Sequence, residues 1–194
     1  VASVLDEVLR DAQYYRRSGG GLTLSGGEPL AQFKFTHALL RAAKAHGLHT
    51  CLDTSGCADR RKVEAIADDV DLFLYDYKAT DPAQHTALTG VPNHRILKNL
   101  EYLYSRGAQI VLRCPLIPGL NDTTDHLAGI AALSARYPGL TGVEIMAYHD
   151  LGRDKAAHIG YDNPLAGLAS ADEATKAHWL DTLHELGCVR ARLG

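Results

Sequence analysis

Six short β-prone runs alternate with segments of helical period along this chain, and most of the runs end in a cluster of glycine and polar residues. The runs fall at about 22–25, 48–53, 71–75, 108–112, 142–147 and 188–193. No hairpin signal separates any two of them, so the strands are expected to run parallel, each returning through a helix. From the alternation alone, a doubly wound sheet and a barrel fit equally well.

The helical segments carry their own punctuation. Residues 1–17 read as one amphipathic helix capped by Ser3, with Val4, Leu5, Val8, Leu9 and Ala12 on one stripe. The next helix spans 31–46, with Phe35, Ala38, Leu39, Ala42 and Ala43 turned inward and Gly47 as its stop. A short helix follows at 59–68. Thr80-Asp81-Pro82 opens another, and Asn93 starts one that carries Ile96, Leu97, Leu100 and Leu103 on one face. A helix at 123–136 and one opened by a capping box, Ser170 to Glu173, complete the set.

With 194 residues the chain can build one domain with a sizeable core, read here as a single unit over 1–194. A net charge of -3 leaves no basic field for nucleic acid. No apolar run approaches the roughly 18 residues of a membrane span. The cysteines (Cys51, Cys57, Cys114, Cys188) have neither C-x2-C nor C-x3-C spacing, which points to free thiols in a reducing cytoplasm.

The chemistry concentrates at the strand ends. Ser25-Gly26-Gly27-Glu28-Pro29-Leu30 follows the first strand. Its glycines let backbone approach a ligand with no Cβ in the way, and Glu28 stands at a strand's carboxyl end. Asp53-Thr54, Asp76 with Lys78, Arg113, and Tyr148-His149 end the later strands. On a parallel β/α rim such residues converge on a mouth suited to a zwitterion bearing an amine, a carboxylate and hydroxyls. Each residue also has an ordinary reading: Asp53-Thr54 as a helix cap, Lys78 as an ion-paired lysine, Arg113 as a donor to loop carbonyls. Glu144, in mid-strand, must face a polar interior.

Taken in order, these pieces resemble the radical S-adenosylmethionine activating enzymes of glycyl radical enzymes, the pyruvate formate-lyase activating enzyme family. The matching segments are Ser25 to Leu30, Asp53-Thr54-Ser55-Gly56, Asp76-Tyr77-Lys78, Gly90-Val91-Pro92-Asn93, Arg113 with Ile117-Pro118-Gly119 and Asn121-Asp122, and Tyr148-His149-Asp150-Leu151-Gly152. The resemblance implies an α/β fold, a partial (β/α)6 TIM-like barrel whose first strand and cluster loop are missing from these residues. It implies that Gly26, Gly27 and Glu28 contact the methionyl amine of S-adenosylmethionine. Asp53, Thr54 and Asp76 would lie near the cofactor carboxylate, where a monovalent cation can bind. Lys78, Arg113 and His149 would face the cofactor or the target peptide.

The implied cofactors are S-adenosylmethionine and a 4Fe-4S cluster. The implied partners are a glycyl radical enzyme and an electron donor such as flavodoxin or ferredoxin, with neither nucleic acid nor membrane. The family's C-x3-C-x2-C is absent here, so the chain reads as the barrel portion of an activating enzyme without its cluster segment, inactive alone. Two other readings remain at this point: a Schiff-base aldolase with Lys78 as nucleophile, and a non-catalytic module that binds S-adenosylmethionine or a partner.

Overall fold

The computed structural model describes residues 1–149 and 168–194. Asp150-Leu151-Gly152 and nearly all of the expected 149–169 loop lie outside the described residues.

The elements are α1 (Ala2–Arg10), α2 (Ala12–Ser18), β1 (Gly21–Leu24), α3 (Phe33–Ala45), β2 (His49–Thr54), α4 (Arg60–Ile66), β3 (Leu72–Asp76), α5 (Pro82–Thr89), α6 (His94–Ser105), β4 (Ile110–Leu116), α7 (Thr124–Arg136), β5 (Gly142–Ala147), α8 (Glu173–Glu185) and β6 (Ala191–Leu193). The strands form one sheet in sequence order, β1-β2-β3-β4-β5-β6. β1 with β2, β2 with β3, and β5 with β6 pair in parallel. Among the described residues β1 and β6 are the end strands of this order, consistent with a partial barrel. Among the described residues no helix is long and apolar enough to cross a membrane.

Contacts divide the chain into two compact units. The first comprises Val1–Asp76, Pro92–Leu112 and Gly139–Thr141. In it, Leu5, Leu39, Ala43 and Leu48 form a buried cluster against which Leu22 and Leu24 of β1 pack. Period-two alternation sends Phe73 and Tyr75 of β3 to the buried side and leaves Leu72, Leu74 and Asp76 half-buried on the other. Asp71 ties the amino ends of the strands together. Its carboxylate accepts from Lys44 Nζ at 2.6 Å and from the Thr50 amide and hydroxyl at 2.9 and 3.1 Å.

The second unit comprises Tyr77–Val91, Arg113–Pro138 and the described part of Gly142–Gly194. Here α7 packs on α8, and Leu127, Ile130, Trp179 and Leu183 are buried. Glu144 is ion-paired with Arg192 of the neighbouring β6 at 2.8 Å, so its mid-strand carboxylate is met by a cross-strand partner.

Several local expectations are corrected. The first helix breaks at Asp11, whose φ of -95° and ψ of 8° close α1 and open α2, and Ser3 lies inside α1. On α3 the buried face carries Thr36, Leu39, Leu40 and Ala43, while Phe35 is exposed. Thr36 can occupy the core side because its hydroxyl donates to the Pro29 carbonyl at 2.7 Å. α8 is capped by Asp172, which accepts from the Thr175 amide at 2.7 Å, and not by Ser170. β4 continues through Arg113, Cys114 and Pro115 to Leu116, so Arg113 sits within the strand.

His126 of α7 is buried. Its Nδ1 lies 2.9 Å from Thr80 Oγ1, to which Tyr77 Oη donates at 3.0 Å. Burial, then the neighbouring His85, lowers its pKa from an ordinary 6.5 to about 4. The unfolded chain therefore takes up this proton at a higher pH than the folded one. The neutral imidazole's contribution is intact above pH 6.5 and is lost as pH falls towards 4, on the order of 3 kcal/mol in all. Urea unfolding measured at intervals from pH 7 to pH 4 should show that loss, and H126L should flatten the corresponding part of the slope.

Candidate functional site

The site is built from the loops that follow β1 and β2. After Leu24 the chain turns through Ser25 and Gly26, whose φ of 125° is open only to glycine at low cost. Gly26 and Gly27 are exposed, and a Cβ on either would meet nothing within 4 Å. Their main chain thus borders open space. Glu28 comes next, half-buried, as the cap of a 3-10 turn over Pro29–Gln32.

Its carboxylate is a buckle. Oε1 accepts from the Leu30 amide at 3.1 Å and from Thr54 Oγ1 at 2.7 Å. Oε2 accepts from the Ser55 amide at 3.0 Å and from Ser55 Oγ at 2.7 Å. One anion therefore gathers donors from two separate loops, the kind of charge-assisted pairing that is stronger than a neutral bond. The segment is held from behind as well, because Lys62 Nζ donates to the Leu30 carbonyl at 3.1 Å. In parallel, Ser25 Oγ donates to Asp53 Oδ2 at 2.8 Å.

Beneath this layer lies Gly56, with φ of 67°. A Cβ there would come 1.8 Å from Tyr75 Oη, so only glycine fits above that phenol. Tyr75 Oη donates to the Ile96 carbonyl at 2.7 Å. Burial, and then the negative charge of Glu28, pushes its pKa up and keeps the phenol protonated.

The structure thus joins Glu28 with Thr54 and fastens Asp53 to Ser25. Register pairs Asp53 with Leu74 and Thr54 with Tyr75. By alternation Asp53 and Asp76 belong to one face of the sheet and the Thr54 side chain to the other. The Thr54 hydroxyl is also engaged, donating to Glu28 and accepting from the Gly56 amide at 3.0 Å. The Thr54 side-chain oxygen is thus already engaged on both sides. Ser25 and Ser55 stand in the matching segments without a role of their own there. Their signal was only their place beside the glycines, where small hydroxyls reach a neighbouring carboxylate.

Lys78, Arg113 and His149 belong to the second unit. Lys78 is half-buried, and its carbonyl accepts from Asn121 Nδ2 at 2.9 Å. The same Nδ2 donates to the Pro115 carbonyl at 2.7 Å, and Asn121 Oδ1 accepts from the Ile117 amide at 2.7 Å. Tyr77 donates its amide to the Arg113 carbonyl at 2.7 Å. His149 is exposed just past β5 and lines, with Tyr148, Ser170 and Lys176, a cavity of about 300 Å³.

Among the described residues no group of three or more His, Cys, Asp or Glu could hold a metal ion. The cysteines are unbridged, with Cys51, Cys114 and Cys188 buried and Cys57 half-buried. These residues therefore do not fit an iron–sulfur cluster, which needs thiolates gathered at one point.

Parallel strands with polar, glycine-bearing loops at their carboxyl ends define a β/α domain of the cofactor-binding kind. Residues 2–131 match the Radical SAM superfamily. A pyruvate formate-lyase-activating enzyme of Staphylococcus aureus is 38% identical over 184 residues, covering 91% of this chain and 73% of that protein. The choline trimethylamine-lyase activating enzyme of Oleidesulfovibrio alaskensis is 37% identical over 177 residues, covering 90% of this chain and 57% of its own length. The crystal structure of a domain of pyruvate-formate lyase-activating enzyme from Bacteroides vulgatus matches with a TM-score of 0.74 at 26% identity, over 90% of this chain and 99% of that one.

The chain belongs to the radical SAM superfamily, among the activating enzymes of glycyl radical enzymes. That family implies S-adenosylmethionine and a 4Fe-4S cluster as cofactors. The chain spans 57% of the length of the first curated relatives it matches.

Replacing Glu28 by glutamine keeps the shape and removes the charge. The new amide must turn its own protons towards groups that now donate. E28Q should lower stability by about 2 kcal/mol, the scale of a lost charge-assisted bond with its donors left facing no acceptor. Urea unfolding of the two proteins checks this, and equal midpoints would mean that the buckle carries no weight.

Proposed function

We propose that this chain supplies the S-adenosylmethionine-holding portion of an activating enzyme that generates a glycyl radical on a partner enzyme. The observation that carries the reading is the Glu28 buckle, which leaves the main chain of Gly26 and Gly27 beside open space. The residues fit the amino-acid end of that cofactor. Carbonyls of the Gly26-Gly27 turn would accept from its amine. Asp53 and Asp76, with the Thr54 carbonyl, would hold a monovalent cation against its carboxylate, as hard oxygen ligands do.

Lys78, Arg113 and His149 are proposed to meet the remainder of the cofactor or the target peptide. S-Adenosylmethionine and a reduced cluster together supply a carbon-centred radical that takes a hydrogen atom from a backbone glycine. The C-x3-C-x2-C motif that would hold the cluster is absent from these residues. What these residues contribute is position, which can be worth several kcal/mol of a barrier. A glycyl radical enzyme as substrate, a flavodoxin or ferredoxin as reductant, and a reducing cytoplasm suited to four free thiols complete the proposal.

The test uses the full-length gene product, reconstituted anaerobically with iron and sulfide, reduced, and mixed with a glycyl radical enzyme and S-adenosylmethionine. A glycyl radical signal by electron paramagnetic resonance, formed with methionine, supports the reading, and cofactor cleavage without any radical on the partner overturns it. The Cβ of Gly27→Val would meet nothing within 4 Å, and the side chain would fill part of the space the glycines leave. G27V should fold normally and bind S-adenosylmethionine about tenfold more weakly or worse, as a group displaced from its contacts does, measured by calorimetric titration. If Asp53 and Asp76 hold a cation, added potassium or sodium should lower the KM for S-adenosylmethionine in the wild type, and D76N should lose that response.

A further inference from the structure

We infer that Asn99 is a positioning residue of the S-adenosylmethionine site, acting through the loop that follows β2. This rests on the reading of that site given above. Asn99 lies on the apolar face of α6, between Ile96 and Leu103, and is 1% exposed. A buried carboxamide on such a face is costly unless its polar atoms are paired. The two protons of Nδ2 go to two carbonyls of one loop, Gly56 at 2.8 Å and Ala58 at 2.9 Å. That loop carries the Ser55 amide and hydroxyl that grip Glu28, and it starts directly after Thr54, the last residue of β2, whose hydroxyl grips Glu28 too.

The path from α6 to the proposed ligand is short and made wholly of named bonds. Asn99 fixes the carbonyls of Gly56 and Ala58. Gly56, pressed on Tyr75 and bonded through its amide to Thr54 Oγ1, fixes the direction of the Thr54 and Ser55 donors. Those donors orient the Glu28 carboxylate, which sets the Gly26-Gly27 turn. Gly56 has a left-handed φ, and a chain of that shape has many alternatives when unpinned. No aliphatic side chain could replace the amide, because two carbonyls pointing at an apolar group would be left unsatisfied. A carboxylate would repel them. The residue therefore has a task beyond filling the α6 face.

Asn99→Leu keeps the number and branching of the side-chain heavy atoms and suits the apolar neighbours, while the two donors vanish. In the full-length, cluster-reconstituted protein, N99L should weaken S-adenosylmethionine binding about tenfold, the size of effect that misplaced contact groups give. Amide hydrogen exchange at Ser55, Gly56 and Cys57 should quicken in the same variant. Leu103→Ala, one turn further along the same buried face, is the control for a merely structural role. It should cost stability and leave the affinity unchanged. Should N99L not fold, Asn99→Ala adds neither bulk nor charge to the buried face, removes both donors and should show the same loss.

On the wild type, with no substitution, nuclear magnetic resonance should show the Asn99 carboxamide protons exchanging more slowly once S-adenosylmethionine is bound. Wild-type affinity in a folded N99L or N99A overturns the inference. So does an Asn99 carboxamide whose exchange ignores the ligand. A wild type that binds no S-adenosylmethionine overturns instead the reading of the site, and the exchange at Ser55 to Cys57 in N99L then still reports whether Asn99 holds the loop.

Discussion

The first unit's chemistry depends on one carboxylate whose two oxygens are fully subscribed. Glu28 takes two donors on each oxygen, from Leu30, Thr54 and twice from Ser55. A half-buried anion needs such a shell, since each lost partner leaves desolvation uncompensated. The result is geometric. Two loops that arrive from separate strands are locked in one relative position, and the glycines just before Glu28 inherit that position. A glutamate here is useful because it is long enough to reach across the β1–β2 gap and has lone pairs enough for both loops.

Above and below that carboxylate the chain uses opposite means. On the outer side it removes side chains: Gly26 and Gly27 offer backbone alone, with open space where a Cβ would stand. On the inner side it packs closely, with Tyr75 under Gly56 and Asn99 under the Gly56 and Ala58 carbonyls. A loop with no side-chain bulk on its open side cannot be ordered by its own packing. Its order must come from the layer beneath, where the aromatic ring and the amide are themselves held by α6. Backbone that borders open space and a rigid, polar layer beneath it are two halves of one arrangement.

The parallel order of strands, the Gly26-Gly27-Glu28 turn and the placement of Asp53 and Asp76 at strand ends could be read from sequence, because each rests on local chemistry: period-two runs, glycine after a strand, and helix signals between. The unread parts depend on partners distant in the chain. Thr36 belongs to the core only because the Pro29 carbonyl waits there, so the apolar stripe of α3 was phased through Phe35 instead. Ser170 and Asp172 are both good caps, and the choice between them follows from where the chain meets α8. Proline and a polar Arg113 suggested that β4 ends at Leu112, whereas the strand carries both of them to Leu116. Asn99 was hidden by its neighbours, since a helix face containing Ile96, Leu100 and Leu103 reads as hydrophobic packing alone.

The two units solve the same local difficulty with the same residue type. Loops that leave the carboxyl ends of parallel strands turn some carbonyls inward, away from water, and those oxygens need donors. In the first unit the donor is Asn99, serving Gly56 and Ala58. In the second it is Asn121, 2% exposed, serving Lys78 and Pro115 while its own oxygen takes the Ile117 amide. A serine has one proton to give, a lysine would add charge to a buried place, and a carboxylate has no proton to give when ionised. The primary amide alone combines two protons, neutrality and a short, stiff reach. Its appearance beneath candidate contact residues in each unit ties loop order there to a buried neutral group.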